Sequence, residues 1–113
     1  MTHVGRYIQM RRYFAGMSQR ALAMRIGCSH VHISHVEKGL QLPTENMLRT
    51  IVDVLGNASL AVALEHLARD RPLTVDCTAL SPDSRRLVAR LAALAMAGEL
   101  TPEMAAEAEA TLP

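Results

Sequence analysis

Apolar residues recur three and four positions apart along most of this chain, the spacing that lines one side of an α-helix. Residues 4–15, VGRYIQMRRYFA, predict a first helix. Val4, Ile8 and then Arg12 or Ala15 fall in register, Tyr7 and Phe14 add apolar surface, and Gly16 ends it. The stretch Ser18 to Gly39, SQRALAMRIGCSHVHISHVEKG, predicts two short helices joined by a tight turn at Gly27. Ser18 and Ser29 supply the cap oxygens, Leu22, Ala23 and Ile26 share one side, and Cys28, Ile33 and Val36 face inward. After the loop LQLP, Thr44 opens a fourth helix to Leu55, with Met47, Leu48, Ile51 and Leu55 as its stripe.

The remainder is also helical in pattern. Residues 58–68 align Leu60, Leu64 and Leu67, and the RDRP that follows breaks the helix. The run Leu73-Thr74-Val75 is read as part of an extended connector near 72–80, with a short strand pairing across a dimer as one form of it. Ser81-Pro82-Asp83 and Thr101-Pro102-Glu103 each combine a cap, a proline at the first helical position and an early acid. Between them Leu87, Leu91 and Leu94, with Val88 and Ala95, form a broad apolar stripe ending at Gly98, and a last alanine-rich helix ends near Thr111. The expected class is all-α, with a head over residues 1–56 and a helical region over 57–113.

The helix at about 29–38 carries the candidate chemistry. With Ile33 and Val36 pointing inward, Val31, Ser34, His35 and Lys38 point outward and His30 and His32 sit at the flanks. An exposed helix propped up by its neighbour is the arrangement that enters a DNA major groove. Neutral imidazole both donates to and accepts from base edges, and Val31 can meet a thymine methyl group. For Gln19, Ser29 and Lys38 the expected contact is backbone phosphate, aided by the positive ends of the helices.

These segments resemble the lambda-repressor-like (xenobiotic response element type) helix-turn-helix regulators. The resemblance spans about residues 4–56 and rests on SQRALAMRIGCS, HISHVEKG and LPTENMLRTIVDVLG together. It implies an ion pair between Arg12 and Glu37, a phosphate contact at Gln19, and base-facing side chains at His30, Val31, His32 and His35. One departure is Arg11, which stands where the family commonly has an apolar residue. Its aliphatic stem is expected to cover the core while the charge reaches solvent.

Composition narrows the picture further. Half of the 113 residues are apolar but only three are aromatic, so Leu, Ile, Val, Met and Ala must make the core, which favours packed helices. The net charge of +1 hides an asymmetry: residues 1–56 carry seven basic and three acidic side chains, whereas 57–113 carry five and eight. A basic head suits phosphate, and an acidic tail suits solvent or a protein partner. No twenty-residue apolar run and no basic-then-apolar leader is present, so no membrane contact is expected and the cytoplasm is the expected compartment. Cys28 and Cys77 are expected to remain thiols. Cys28, His30, His32 and His35 lack the paired ligands of a zinc site, so no metal is expected. With no glycine-rich phosphate loop and no nucleophile–base set, neither enzymatic activity nor a cofactor is expected.

The sequence therefore leads to a double-stranded DNA-binding transcriptional regulator, a repressor acting as a homodimer on a palindromic operator. Leu87, Leu91 and Leu94 are the expected dimer contacts. The alternative is an antitoxin or adaptor whose acidic C-terminal helices bind a partner protein.

Overall fold

The N-terminus is fixed by a residue far away in the chain. In the computed structural model, which describes residues 1–73 and 76–110, the first helix, α1, covers His3–Phe14. Thr2 caps it, its hydroxyl accepting the N–H of Gly5 at 3.0 Å, and the carboxylate of Asp70 accepts the N–H groups of His3 and Val4 at 3.0 and 2.9 Å. Three of the four orphan donors of the first turn are thereby paired, two of them by a negative charge at the positive end of the helix.

Helices α2 (Gln19–Ile26), α3 (His30–Lys38) and α4 (Glu45–Leu55) follow, each opened by a hydroxyl cap, from Ser18, Ser29 and Thr44. Gly27 turns the chain between α2 and α3 at φ 82°, a left-handed conformation that a side chain would strain. Helix α5 (Leu60–Asp70), capped by Ser59, lies against α1 and α4. Among the described residues the structure is all-helical, and the buried apolar core runs from Val4 to Leu67. Val4 and Ile8 of α1, Leu22 and Ala23 of α2, Ile33 and Val36 of α3, Leu48, Ile51, Val52 and Leu55 of α4, and Ala63 and Leu67 of α5 form one cluster.

Met1–Leu73 is one compact unit and Thr74–Pro113 belongs to a second. The head therefore continues past residue 56. Helix α5 stays with it because Ala63 and Leu67 are fully buried in its core, and burying a leucine is worth about 2 kcal/mol relative to leaving it in water. Polar contacts reinforce the junction: the Ser59 N–H donates to the Tyr7 hydroxyl at 3.1 Å, and the Tyr7 ring stacks on His66 with centroids 5.0 Å apart. Arg11, the departure from the family pattern, is half-buried. Its guanidinium lies 5.4 Å from the Tyr7 ring centroid and reaches the Asn57 carbonyl, while the Asn57 amide donates back to the Arg11 carbonyl at 3.2 Å. Phe14 adds nothing to the core; it is 74% exposed.

At Gly5, α1 lies close against the main chain of α3. A Cβ there would overlap the carbonyl oxygens of Val36 and Glu37, so only a hydrogen fits.

In the second unit α6 (Pro82–Met96) and α7 (Pro102–Ala110) begin at the two Ser/Thr-Pro-acid signals. The expected extended connector is interrupted by a single 3-10 turn at Cys77–Ala79, because the Asp76 carboxylate accepts both the N–H and the hydroxyl of Thr78, at 3.0 and 2.6 Å. The expected strand at Leu73-Thr74-Val75 and the helix end at Thr111 involve residues outside the described ones.

Replacing Asp70 with alanine leaves the His3 and Val4 donors to water and removes a favourable charge from the start of α1. The expected loss is about 1 kcal/mol, read as a lower urea midpoint. An unchanged midpoint would show that this carboxylate does not hold the helix.

Candidate nucleic-acid interface

The position of α3 is set by a buried ion pair. Arg12 Nε donates to Glu37 Oε2 and Arg12 Nη2 to Glu37 Oε1, both at 2.8 Å, a two-pronged match of guanidinium to carboxylate. Arg12 is 5% exposed and Glu37 1%. A third Arg12 donor, Nη1, reaches the Met17 carbonyl at 2.9 Å, and the Tyr13 ring lies 4.6 Å from the guanidinium carbon. The hydrogen bond to Glu37 raises the Arg12 guanidinium above its ordinary value despite the opposing effect of burial. Gln19, at the start of α2, donates from Nε2 to Glu37 Oε1 at 3.3 Å. Helices α1, α2 and α3 are therefore tied together at one carboxylate.

This tie leaves one side of α3 free. His30, Val31, His35 and Lys38 are exposed, Val31 by 48%, and Ser34 between them is half-buried. Ser29 is exposed at the start of the helix, where its hydroxyl accepts the His32 N–H at 3.2 Å. His32 behaves differently from its neighbours. It is half-buried and its Nε2 lies 3.2 Å from the Met47 sulfur on α4, so its ring is turned towards the protein at the edge of the exposed side.

Sequence reasoning gave Gln19 a phosphate contact and did not foresee its hydrogen bond to Glu37, since residues eighteen positions apart give no local signal. It also assigned no role to Arg20. This exposed cation lines a recess shared with Met24, Cys28, Ser29 and His30, beside the N-terminus of α3. A basic residue in the first turn of α2 was the available clue. Cys28 in the same recess is a free thiol, its pKa pushed up by burial. Among the described residues no group of three or more His, Cys, Asp or Glu side chains could hold a metal ion.

A short α2, a glycine turn and an α3 with one unobstructed side are the parts of a helix-turn-helix. A family profile described as a helix-turn-helix domain matches residues 3–71, more than half of the chain. The chain belongs to the helix-turn-helix family. No curated protein and no solved structure matches it.

As a helix-turn-helix protein this chain is a DNA-binding regulator of transcription. The matched span takes in α5 and stops one residue beyond it, in step with the compact unit that ends at Leu73. The charge is distributed to match: in that unit nine basic side chains face five acidic ones, and in the rest three face six. No helix among the described residues is long and apolar enough to cross a membrane.

The helix-turn-helix geometry depends on Glu37 being answered by Arg12. Glu37→Ala leaves a buried guanidinium uncompensated and should destabilise the N-terminal unit by about 3 kcal/mol in urea unfolding. Equal stability of variant and parent would mean that the pair does not hold α3 in place.

Proposed function

We propose that this helix-turn-helix protein is a sequence-specific repressor that binds a palindromic operator as a homodimer in the cytoplasm, with α3 of each copy in the major groove. The observation that carries the reading is the free side of α3, where His30, Val31, Ser34 and His35 lie next to Lys38 on a helix locked from behind by Glu37. In the groove the imidazoles exchange hydrogen bonds with base edges and Val31 packs on a thymine methyl group. His32, anchored near Met47, reads from the edge of this face. Lys38 and Ser29 meet phosphates on either side, and Gln19 meets one while keeping its bond to Glu37.

This face lacks an arginine or glutamine for bidentate base recognition. DNA shape therefore supplies part of the selectivity, and doubling the contacts through two-fold symmetry supplies affinity. The dimer forms through Leu87, Leu91 and Leu94 of α6, which the single chain leaves at or near the surface. A second reading, an antitoxin or adaptor, draws on the same incompletely buried leucines together with the acidic α7, offered to a different protein.

Selection of bound duplexes from random DNA tests the main reading. The expected result is a palindrome whose half-sites lie about one helical turn apart on one side of the duplex. Failure to enrich any sequence, or enrichment of a single unpaired half-site, would reject it. Lys38→Ala should weaken binding to all duplexes alike and lower the slope of log affinity against log salt by about one unit. Loss confined to the selected operator would instead make Lys38 a base-reading residue.

A further inference from the structure

Between residues 76 and 110 no side chain described is buried, and α6 in particular buries nothing. A fifteen-residue helix with little tertiary support is marginal in water, and in α6 the stripe is incompletely covered, with Leu91 and Leu94 half-buried and Leu87 exposed.

The charges along these helices are equally unbalanced. Helix α6 holds Arg85, Arg86 and Arg90 against Asp83, while α7 holds Glu103, Glu107 and Glu109 with no basic residue. Arg86 and Arg90 are four residues apart and flank the leucine stripe; Glu103 and Glu107 are likewise four apart. Like charges at that spacing repel along a helix, so each helix is weakened by its own pattern and would be relieved by the other's. Among the described residues, α6 and α7 of one chain do not supply that relief to each other. In this unit the ion pair formed among the described residues is Arg86–Asp83, at 3.5 Å with both side chains exposed, and none joins α6 to α7.

We propose that the charges are matched between two copies of the chain: the leucine stripes of two α6 helices pack together, and the acidic α7 of each copy lies along the Arg86–Arg90 edge of the other's α6. This inference rests on the homodimer reading and gives it a pairing rule. The leucines supply non-directional apolar contact, and the charges decide which helices meet and in which orientation. Because the arginines sit at the rim, the pairing weakens as salt screens it.

The test uses two full-length variants, Arg86→Glu/Arg90→Glu and Glu103→Arg/Glu107→Arg, with mass measured by light scattering and sedimentation. In the first, both helices are acidic; in the second, both are basic. The parent is expected as a dimer and each variant alone as a monomer of half that mass. An equimolar mixture restores the dimer, because every α6–α7 contact between unlike variants joins opposite charges. Recovery on mixing also shows that neither variant failed merely by misfolding.

A mixture that stays monomeric overturns the proposal, as pairing within one chain would give that result. A variant that keeps the parent's dimeric mass on its own overturns it while leaving the homodimer reading intact. A monomeric parent, or a parent bound stoichiometrically to a different protein through α6, overturns both.

Discussion

Two opposite charges removed from water and clamped to each other hold the second helix of the helix-turn-helix, α3. Burial of Arg12 and Glu37 is unfavourable for each alone, and the pair persists because the guanidinium fork meets both carboxylate oxygens at 2.8 Å. The apolar contacts around it are larger in sum but indifferent to direction. Ile33 and Val36 bring α3 to the core and set which side faces outward, and the ion pair adds a directional restraint on the same orientation. The further bonds from Arg12 to the Met17 carbonyl and from Gln19 to Glu37 carry that restraint into the start of α2. A lysine at position 12 could not reproduce it, having one nitrogen to offer in place of a planar set.

The helix ends and the inward sides of α1 to α4 were legible because their causes are local. Ser18, Ser29 and Thr44 stand three residues before the N–H they bond, and Gly27 marks its own turn. The outward side of α3 followed from the same periodicity, and the Arg12–Glu37 pair came into view through the family resemblance. What escaped detection depends on residues distant in sequence. Asp70 meets His3 and Val4 across more than sixty positions, and that bond, together with the burial of Ala63 and Leu67, draws α5 into the head. His32 turns towards Met47 because α4 places a polarizable sulfur beside it, which helical spacing within α3 cannot anticipate.

The two units obtain their order from different sources. In Met1–Leu73 nearly every helix end has a partner, and the core is continuous from Val4 to Leu67. In the second unit the caps are present, at Ser81 and Thr101, but the burial that makes a helix persist is not supplied by the described residues. Propensity and capping say where α6 and α7 start; packing would decide how firmly they hold.

The contact at Gly5 bears on how such a protein can change over generations. Where two helices are spaced by side chains, each altered volume shifts one against the other. Here α1 rests on the main chain of α3, so the separation is set by atoms common to all amino acids. The exposed positions of α3 are thereby free to change without altering this contact, provided position 5 remains without a side chain.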